Sequence, residues 1–376
     1  MIYLDHAATS YPKPPGVYAE VMRALLQYGG SPGRGTHPLA LAAAEQVFAC
    51  REALASFLGV GAPERILFTH NATDALNLAI KGFLQPGAHV LISELEHNAV
   101  RRPLCRLQAE RGVRFDSFPV LGKSTAQLLA GIAARLTPET VAVICTHASN
   151  VCSVTLPARE IGAFCHAHGL RFILDAAQSA GHLDINLQDM QIDALAAPAH
   201  KGLCGIQGAG ILALGEGFLP TPLLEGGSGT DSLSKEMPPL PPERYEAGTL
   251  ATPAIAAMLR GVEFLRERGL ESIHAHECAL FLALRERLLE IPSLQIYAPE
   301  YPGAVLLFNS ARYPCSELAH LLGTRGICVR AGYHCAPMAH AALGTPEGGA
   351  VRVSFGHANT LAELDTLYFT LRELHA

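Results

Sequence analysis

The sequence predicts an α/β protein, in which a mostly parallel seven-stranded sheet is flanked by helices and followed by a smaller α+β C-terminal domain. Short apolar runs alternate with amphipathic, helix-like segments from residue 66 onward. These runs are apolar on both faces, as is typical of parallel strands covered by helices on either side. The candidate strands span residues 66–69, 90–93, 114–118, 141–146, 171–174, 194–197 and 210–214.

Helical periodicity fills the intervals between these strands. The predicted helices span residues 73–83, 99–111, 125–135 and 158–168, and an Ala-rich helix at 38–58 precedes the first strand. The proline-closed N-terminus is predicted to be an extended arm. A glycine-rich loop at 29–37 carries Arg34 and His37, and it is either a simple turn or one wall of a cleft.

A proline-rich loop at 219–242 ends the alternation of strands and helices, and the elements after it have the mixed order of an α+β domain. The predicted helices there span 253–268, 274–289, 315–325 and 361–374, and the predicted strands span 294–297, 304–308, 327–330 and 350–355. We therefore expect a larger domain at 15–252 and a smaller one formed by 1–14 together with 253–376.

Composition narrows the class of protein. The 376 residues are 49% hydrophobic and 16% charged, and the net charge of -6 argues against nucleic acid as the main partner. No apolar run approaches the roughly 18 residues that span a membrane, and the N-terminus lacks the pattern of a signal peptide. These features predict a cytoplasmic protein with no membrane segment. The ten cysteines contain no CxxC pair and do not resemble a disulfide framework.

Lys201 is the most unusual charged residue. The chain has only five lysines, and the nearest acids to Lys201 along the sequence are Asp193 and Glu216. Taken alone, such a lysine either lies at a loop edge or is desolvated. A desolvated lysine has the lowered pKa that Schiff-base chemistry requires.

Polar residues follow several of the predicted strands, where parallel sheets bind ligands. Thr73 begins a helix and forms either a simple cap or an anion site. His97 could stack on a planar ring or do acid–base work, and Asn150 could contact a ligand or close a turn. Asp175 ends an apolar strand, and a carboxylate buried there needs a cation or a donor. Together with Lys201, these residues fit pyridoxal 5′-phosphate.

The ordered motifs resemble those of the cysteine desulfurases and selenocysteine lyases of the class V aminotransferase family, pyridoxal-phosphate fold type I. The resemblance runs nearly end to end. It is carried by Leu4-Asp-His-Ala-Ala-Thr, Thr73-Asp-Ala-Leu-Asn, Glu96-His-Asn, Ser149-Asn-Val, Asp175-Ala-Ala-Gln-Ser, His200-Lys, Glu246-Ala-Gly-Thr249 and Arg330-Ala-Gly-Tyr-His-Cys-Ala336.

The resemblance implies how the cofactor ring is held. Lys201 carries the cofactor and moves protons, and Asp175 pairs with the ring nitrogen. His97 stacks on the ring, Gln178 bonds its phenolic oxygen, and Asn150 lies between cofactor and substrate.

The resemblance also implies a phosphate site and a homodimer with active sites at the subunit interface. Thr73, the backbone N–H of Ala72 and His200 would hold the phosphate. Thr249 would reach the phosphate of the other subunit.

Further residues are expected at the substrate. Arg352 and Asn150 would hold the α-carboxylate of L-cysteine or L-selenocysteine, for which a planar guanidinium is suited. Arg34 and His37 would line the cleft, and Arg330 would steady the cysteine loop.

Cys335 is the expected sulfur acceptor within the chain. Its neighbours Arg330 and His334 favour a thiolate, which would attack the substrate sulfur and leave alanine and a persulfide. The short loop resembles that of the second group of desulfurases, which often pass sulfur to a dedicated acceptor protein. Two alternatives are a metal site with His334 and His340, which would have too few ligands, and an inert core cysteine.

The chain departs from the family pattern at the phosphate. Pro198 stands where a serine or threonine usually bonds the phosphate, and it has neither a hydroxyl nor an N–H. Asn71-Ala72 replaces the more usual Gly-Thr. The open alternatives are a selenocysteine lyase, another class V reaction that does not use Cys335, and a scaffold protein that has lost the cofactor. The acceptor and the pathway (iron–sulfur cluster assembly, thiolation or selenium metabolism) are not indicated.

Overall fold

The described residues form thirteen strands in three sheets. The computed structural model describes residues 1–33 and 35–376, so Arg34 lies outside the described residues. The strands are β1 (Ile2–Tyr3), β2 (Ile66–Thr69), β3 (His89–Ser93), β4 (Arg114–Phe118), β5 (Thr140–Thr146), β6 (Arg171–Asp175), β7 (Ala194–Pro198), β8 (Gly210–Leu214), β9 (Leu294–Tyr297), β10 (Val305–Ser310), β11 (Ile327–Cys328), β12 (Arg330–Gly332) and β13 (Ala350–Ser354).

Eleven α-helices are found in the described residues. They are α1 (Pro15–Gln27), α2 (Pro38–Leu58), α3 (Ala72–Phe83), α4 (Asn98–Arg111), α5 (Thr125–Ala133), α6 (Ala158–Ala167), α7 (Thr252–Arg268), α8 (Leu270–Leu289), α9 (Cys315–Thr324), α10 (Pro337–Leu343) and α11 (Leu361–His375). Within those residues, none of the helices combines the length and apolar character needed to cross a bilayer.

The central sheet has the order β2-β8-β7-β6-β5-β3-β4. Strand β8 is antiparallel to both of its neighbours, and the other six strands run in one direction. The predicted α/β class, with seven mostly parallel strands, is therefore confirmed. The carboxyl ends of β3, β5, β6 and β7 all lie at the same edge.

The central sheet is buried on both faces because its strands alternate between two cores. In β6, Phe172 and Leu174 pack in one hydrophobic cluster, whereas Ile173 packs in a second cluster. Each side chain on a strand points to the face opposite its neighbours, so helices cover the sheet on both sides.

The smaller C-terminal domain contains a four-stranded antiparallel sheet of order β12-β13-β10-β9. Its strands pack with α8, α9 and α11 around a third core. The predicted single strand at 327–330 is divided here. Strand β11 pairs with β1, whereas β12 pairs with β13.

The N-terminal arm contacts both the C-terminal domain and the loop after β7. Strand β1 pairs in parallel with β11, which attaches the start of the chain to the C-terminal domain. The arm then passes the loop after β7, where three of its residues donate hydrogen bonds to the carbonyl oxygen of His200: Thr9 Oγ1 at 3.0 Å, the Ser10 N–H at 3.0 Å and Lys13 Nζ at 2.7 Å. The domain boundaries at 14/15 and 252/253 stay a prediction.

Candidate active site

A pocket lies at the carboxyl ends of the parallel strands. The loops after β5, β6 and β7 contribute to it, as do the first residues of α3 and α4. Its lining residues are Asn71, Ala72, Thr73, Leu76, His97, Ala99, Thr146, Asn150, Asp175, Ala177, Gln178, Pro198, His200 and Lys201. This pocket, called the main pocket below, brings together most of the cofactor residues expected from the sequence.

Lys201 enters the main pocket from the loop after β7. Burial disfavours its ammonium form and lowers its pKa to about 8, although the Asp175 carboxylate opposes this effect. Arg352 and Arg330 lower the pKa further because they are cations. The neutral form, which a nucleophile or a base must have, is therefore reached at a lower pH in Lys201 than in an exposed lysine.

Asp175 is the last residue of β6, and its side chain faces the same pocket. The residue is 3% exposed, and burial raises the pKa of its carboxyl group. The Ala177 N–H donates to Oδ1 at 2.9 Å, and Lys201 is the nearby cation that favours the charged form. A protonated ring nitrogen is a suitable further partner for so buried a carboxylate.

The first residues of α3 line one end of the main pocket, and this end is suited to bind an anion. The first N–H groups of a helix lack partners within the helix and point outward. Asn71 caps this helix, because its Oδ1 accepts a hydrogen bond from the Asp74 N–H at 3.0 Å. Ala72 and Thr73 follow as the first helical residues and line the pocket.

His200 adds a free polar atom to this pocket. Its Nδ1 is buried and has no hydrogen-bond partner within the described part of the chain. Burial and the charges of Lys201 and Lys13 lower the pKa of His200 to about 4, so the ring is neutral. Pro198 ends β7 beside it and offers no donor. A phosphate in the pocket would find donors at α3 and His200.

His97 caps the start of α4, which fixes the position of its ring. Its Nδ1 accepts a hydrogen bond from the Ala99 N–H at 3.0 Å. Burial and neighbouring cations, chiefly Lys201, lower its pKa to about 4. The ring is therefore neutral, with its proton on Nε2, and is available to stack against a flat ligand.

Arg352 lies in β13, behind the pocket, and is 1% exposed. Its Nη2 donates to Asp5 Oδ1 at 2.7 Å and its Nη1 donates to the Asn150 carbonyl oxygen at 3.0 Å. Its Nε has no partner in the described residues. The Asn150 side chain donates to the His334 carbonyl oxygen at 2.8 Å, and Gln178 Nε2 donates to the Ala7 carbonyl oxygen at 2.9 Å.

Cys335 lies in an exposed loop between β12 and α10. His334 and Cys335 both have left-handed backbones, with φ of 51° and 57°, a conformation that costs a non-glycine residue roughly 1–2 kcal/mol. Two hydrogen bonds hold it, from Asn150 to the His334 carbonyl and from the Asn98 N–H to the Cys335 carbonyl at 2.7 Å. The loop is thus fastened to the pocket while the thiol stays accessible.

Five expected residues do not line the main pocket: Thr249, His37, Arg330, Arg352 and Cys335. Thr249 is exposed and lines a separate pocket with Thr69 and Asp74. His37 is exposed and caps α2, accepting from the Ala40 N–H. Arg34 is outside the described residues. Arg330 and Cys335 do not line the main pocket, although both affect the pKa of Lys201.

Two residues near the site were not expected from the sequence. Glu96 is fully buried, and burial raises its pKa to about 8; its Oε1 accepts from the Thr146 N–H at 2.9 Å. Lys13 is 7% exposed, and burial lowers its pKa to about 8. The sequence around Glu96 and Lys13 does not indicate that either side chain is buried. The groups that bury them are distant in the sequence and meet only in the folded chain.

Residues 2–367 match the family model described as aminotransferase class-V. The chain belongs to this family. A cysteine desulfurase of Serratia proteamaculans is 30% identical, over 100% of this chain and 93% of that protein. A probable cysteine desulfurase of Methanothermobacter thermautotrophicus is 32% identical, over 99% of this chain and 94% of that protein.

Solved structures of class-V relatives have the same fold. The apo structure of a cysteine desulfurase from Thermococcus onnurineus superposes with a TM-score of 0.90 at 29% identity, covering 100% of this chain and 94% of that one. A cysteine desulfurase of Escherichia coli gives a TM-score of 0.88 at 25% identity, and the superposition covers 100% of this chain and 95% of that one. The family and fold predicted from the motifs are confirmed.

Proposed function

We propose that this chain is a cysteine desulfurase that binds pyridoxal 5′-phosphate and acts on L-cysteine. The observation that carries the proposal is the convergence of Lys201, Asp175 and the start of α3 on the main pocket. The pocket thus offers an amine, a buried carboxylate and an anion site. The names of the relatives point the same way.

The residues of the main pocket fit this cofactor. Lys201 would bind its aldehyde carbon, Asp175 would hold a proton at its ring nitrogen, and His97 would cover its face. The N–H groups at Ala72 and Thr73 and the free Nδ1 of His200 would hold its phosphate. When bound, the cofactor supplies an electron-withdrawing ring that weakens bonds at the substrate α-carbon.

Lys201 and Cys335 divide the chemistry between them. Neutral Lys201 removes the α-proton and later returns protons. The Cys335 thiolate attacks the substrate sulfur, so that a sulfur–sulfur bond forms, the carbon–sulfur bond breaks and the carbon takes a proton. The products are L-alanine and a persulfide on Cys335. Because the thiol is exposed, an acceptor protein has access to it.

Arg352 is the residue we assign to the substrate α-carboxylate, together with Asn150. Its guanidinium is held rigidly by Asp5 and the Asn150 backbone, and its Nε remains free. Arg330 is an exposed cation near the cysteine loop, and we assign it the role of steadying that loop.

A homodimer is the assembly that we propose. Helices α1 and α2 expose large apolar side chains, which a second copy would cover: Tyr18, Met22, Leu25, Leu26, Leu41 and Phe48. The exposed Thr249 would meet the phosphate of the partner, and His37 would approach the partner's cleft. A location in the cytoplasm stays a prediction.

The test is a coupled assay of both products. With L-cysteine and a dithiol reductant, we expect equal amounts of alanine and sulfide. Cys335→Ala should lose both products while keeping the visible absorbance of the bound cofactor, whereas Lys201→Ala should lose that absorbance. Undiminished alanine from Cys335→Ala would refute the sulfur chemistry. The same assay with L-selenocysteine separates a selenocysteine lyase, which would turn over L-selenocysteine faster than L-cysteine.

A further inference from the structure

Three arginines without ion-pair partners lie beside the exposed cysteine loop. Arg101 and Arg102 lie near the start of α4, and Arg330 is the first residue of β12. All three residues are exposed. Within the described part of the chain, none of their guanidinium groups has a hydrogen bond or an ion pair. These three residues are called the arginine rim below.

Two contacts fasten the cysteine loop to the start of α4. The N–H of Asn98, the first residue of α4, donates to the Cys335 carbonyl oxygen at 2.7 Å. Met338, in α10, packs against the hydrophobic cluster on which α4 lies. Arg101 and Arg102 follow Asn98 by three and four residues, so they lie on the same face of the helix, about 5.4 Å farther along it. The arginine rim therefore borders the loop that carries the thiol.

The rim also borders the main pocket, as its effect on His97 shows. Besides burial and Lys201, the charges of Arg102 and Arg330 lower the pKa of His97. The two arginines are far apart in the sequence, and both lie near the same imidazole. The rim thus brings together cations from α4 and β12 at the entrance to the site.

The charge of the rim is not offset by the acidic residues closest to it in the sequence. Glu110 is the one acid in α4, and it pairs with Arg106. Glu94, which precedes the helix, accepts hydrogen bonds from the N–H groups of Val120 and Leu121 at 2.7 and 2.8 Å. The whole chain has a net charge of -6. Unpaired cations clustered on an acidic protein favour the approach of an anionic partner.

Tyr333 adds an exposed aromatic ring to this surface, two residues before Cys335. It is 44% exposed, and its hydroxyl oxygen accepts a hydrogen bond from the Gly348 N–H at 3.1 Å, which limits the motion of the ring. Arginine and tyrosine are enriched in protein–protein interfaces. Nucleic acid needs a broader basic surface, because binding neutralises many phosphates. The surface therefore fits a protein better than a nucleic acid.

We propose that the arginine rim docks an acidic protein that carries the thiol to which Cys335 gives its sulfur. This inference rests on the proposed function, in which a persulfide forms on Cys335. The thiolate of the acceptor attacks the outer sulfur of that persulfide. A sulfur–sulfur bond forms on the acceptor, the sulfur–sulfur bond on Cys335 breaks, and Cys335 leaves as a thiolate. The transfer needs no external oxidant or reductant. Carboxylates around the acceptor thiol pair with the rim while it occurs.

The test uses two synthetic peptides as acceptors, each with one cysteine, flanked by aspartates in one and by lysines in the other. The persulfide is formed in a single turnover with L-cysteine, and its transfer to each peptide is timed by mass spectrometry. Each rate is divided by the rate of the same peptide with a small uncharged persulfide, which removes the difference in thiol pKa. We expect the acidic peptide to be favoured about tenfold at low salt. The preference should vanish at about 1 M salt, where the Debye length is about 3 Å.

Arg101→Glu combined with Arg102→Glu should reverse this preference toward the basic peptide. If that variant does not fold, the two changes to Gln replace it and should abolish the preference. The matched control is Arg102→Glu alone against Arg111→Glu. Arg111 is exposed on the same helix, about 14 Å farther along it, and its guanidinium bonds the Lys81 carbonyl oxygen at 3.4 Å. Arg111→Glu should keep the wild-type preference, whereas Arg102→Glu should reduce it.

Two outcomes of this experiment would overturn the proposal. One is an acidic-peptide preference that survives the loss of Arg101 and Arg102. The other is inhibition of the transfer by a short oligonucleotide at lower concentration than by a cysteine-free acidic peptide of the same charge, since the rim would then be a nucleic-acid site.

A second measurement needs no desulfurase activity. The same peptides are activated as mixed disulfides with thionitrobenzoate, and release of this coloured thiol is followed as Cys335 reacts. Cys105 is also exposed on α4, so every protein in this assay carries Cys105→Ser, and mass spectrometry identifies the modified cysteine. We expect the same preference and the same effect of the arginine changes. If wild type makes no alanine, the proposed function fails and the exchange rates still test the rim. If alanine forms and neither assay shows a charge preference, the rim proposal alone fails.

Discussion

Lys201 should make the cofactor-free protein least stable where its ammonium is charged. Burial lowers its pKa from 10.5 to about 8. Each unit corresponds to about 1.4 kcal/mol, so burial of the charged amine costs roughly 3 kcal/mol. Below pH 8 both folded and unfolded chains carry the charge, and the full cost applies.

The pH dependence follows from the direction of this shift. Between about pH 8 and 10.5 the unfolded chain binds one proton more than the folded chain at this residue. The contribution of Lys201 to the free energy of unfolding therefore rises with pH, by about 1.4 kcal/mol per unit. Above pH 10.5 the amine is neutral in both states and the cost has disappeared.

Lys201→Met tests this reasoning because it removes the charge and keeps an apolar chain. At pH 7 the cofactor-free variant should be more stable than cofactor-free wild type by up to about 3 kcal/mol, and the difference should shrink toward pH 10.5. The assay is urea unfolding at several pH values. Lys235→Met, at an exposed site, is the control and should show no such trend. Equal stability of wild type and Lys201→Met at both pH 7 and pH 10 would refute a desolvated lysine.

Three further predictions concern the cofactor, the substrate and the assembly. Pro198→Ser adds a hydrogen-bond donor beside the expected phosphate site. Cofactor affinity, measured by titration of the cofactor-free protein, should rise about fivefold, as one hydrogen bond of ~1 kcal/mol gives. The control Pro198→Ala should not raise it. Arg352→Lys loses the planar fork and should lower kcat/KM for L-cysteine by roughly 10–100-fold with the cofactor absorbance intact, whereas an unchanged value would contradict carboxylate binding by this residue. Leu26→Glu places a charge on the exposed face of α1 and should give monomers in sedimentation experiments, with loss of activity; a fully active dimer would show that this face is not the interface.

Most of the central sheet could be predicted because its strands are short, apolar and separated by clear helical periods. The prediction of an extended N-terminal arm left α1 unrecognised, since two prolines open this helix and its apolar face is exposed rather than buried. Helix α8 begins at Leu270, four residues earlier than expected, directly after Gly269. The sequence predicts one strand at 327–330 because it does not reveal that the two ends of this run pair in different sheets.

The residues of the main pocket that lie at the ends of strands could be predicted from the sequence. Asp175 and Lys201 follow apolar strands, so their burial could be inferred from their neighbours. The hydrogen bond between His182 and Glu277 could not be predicted from the sequence. The two residues are 95 positions apart and meet only when α8 packs beside the loop after β6. The same holds for Lys13, whose buried position depends on the His200 carbonyl.

The N-terminal arm has a practical consequence. Its strand pairs with β11, and its next polar side chains donate hydrogen bonds to the carbonyl oxygen of His200, directly before Lys201. Displacement of those first dozen residues, whether by trimming or by a bulky fusion, would release that peptide and loosen the connection between the two domains. A purification tag is therefore better attached at the far terminus, and a shortened chain that still bound cofactor would be expected to hold its lysine less firmly.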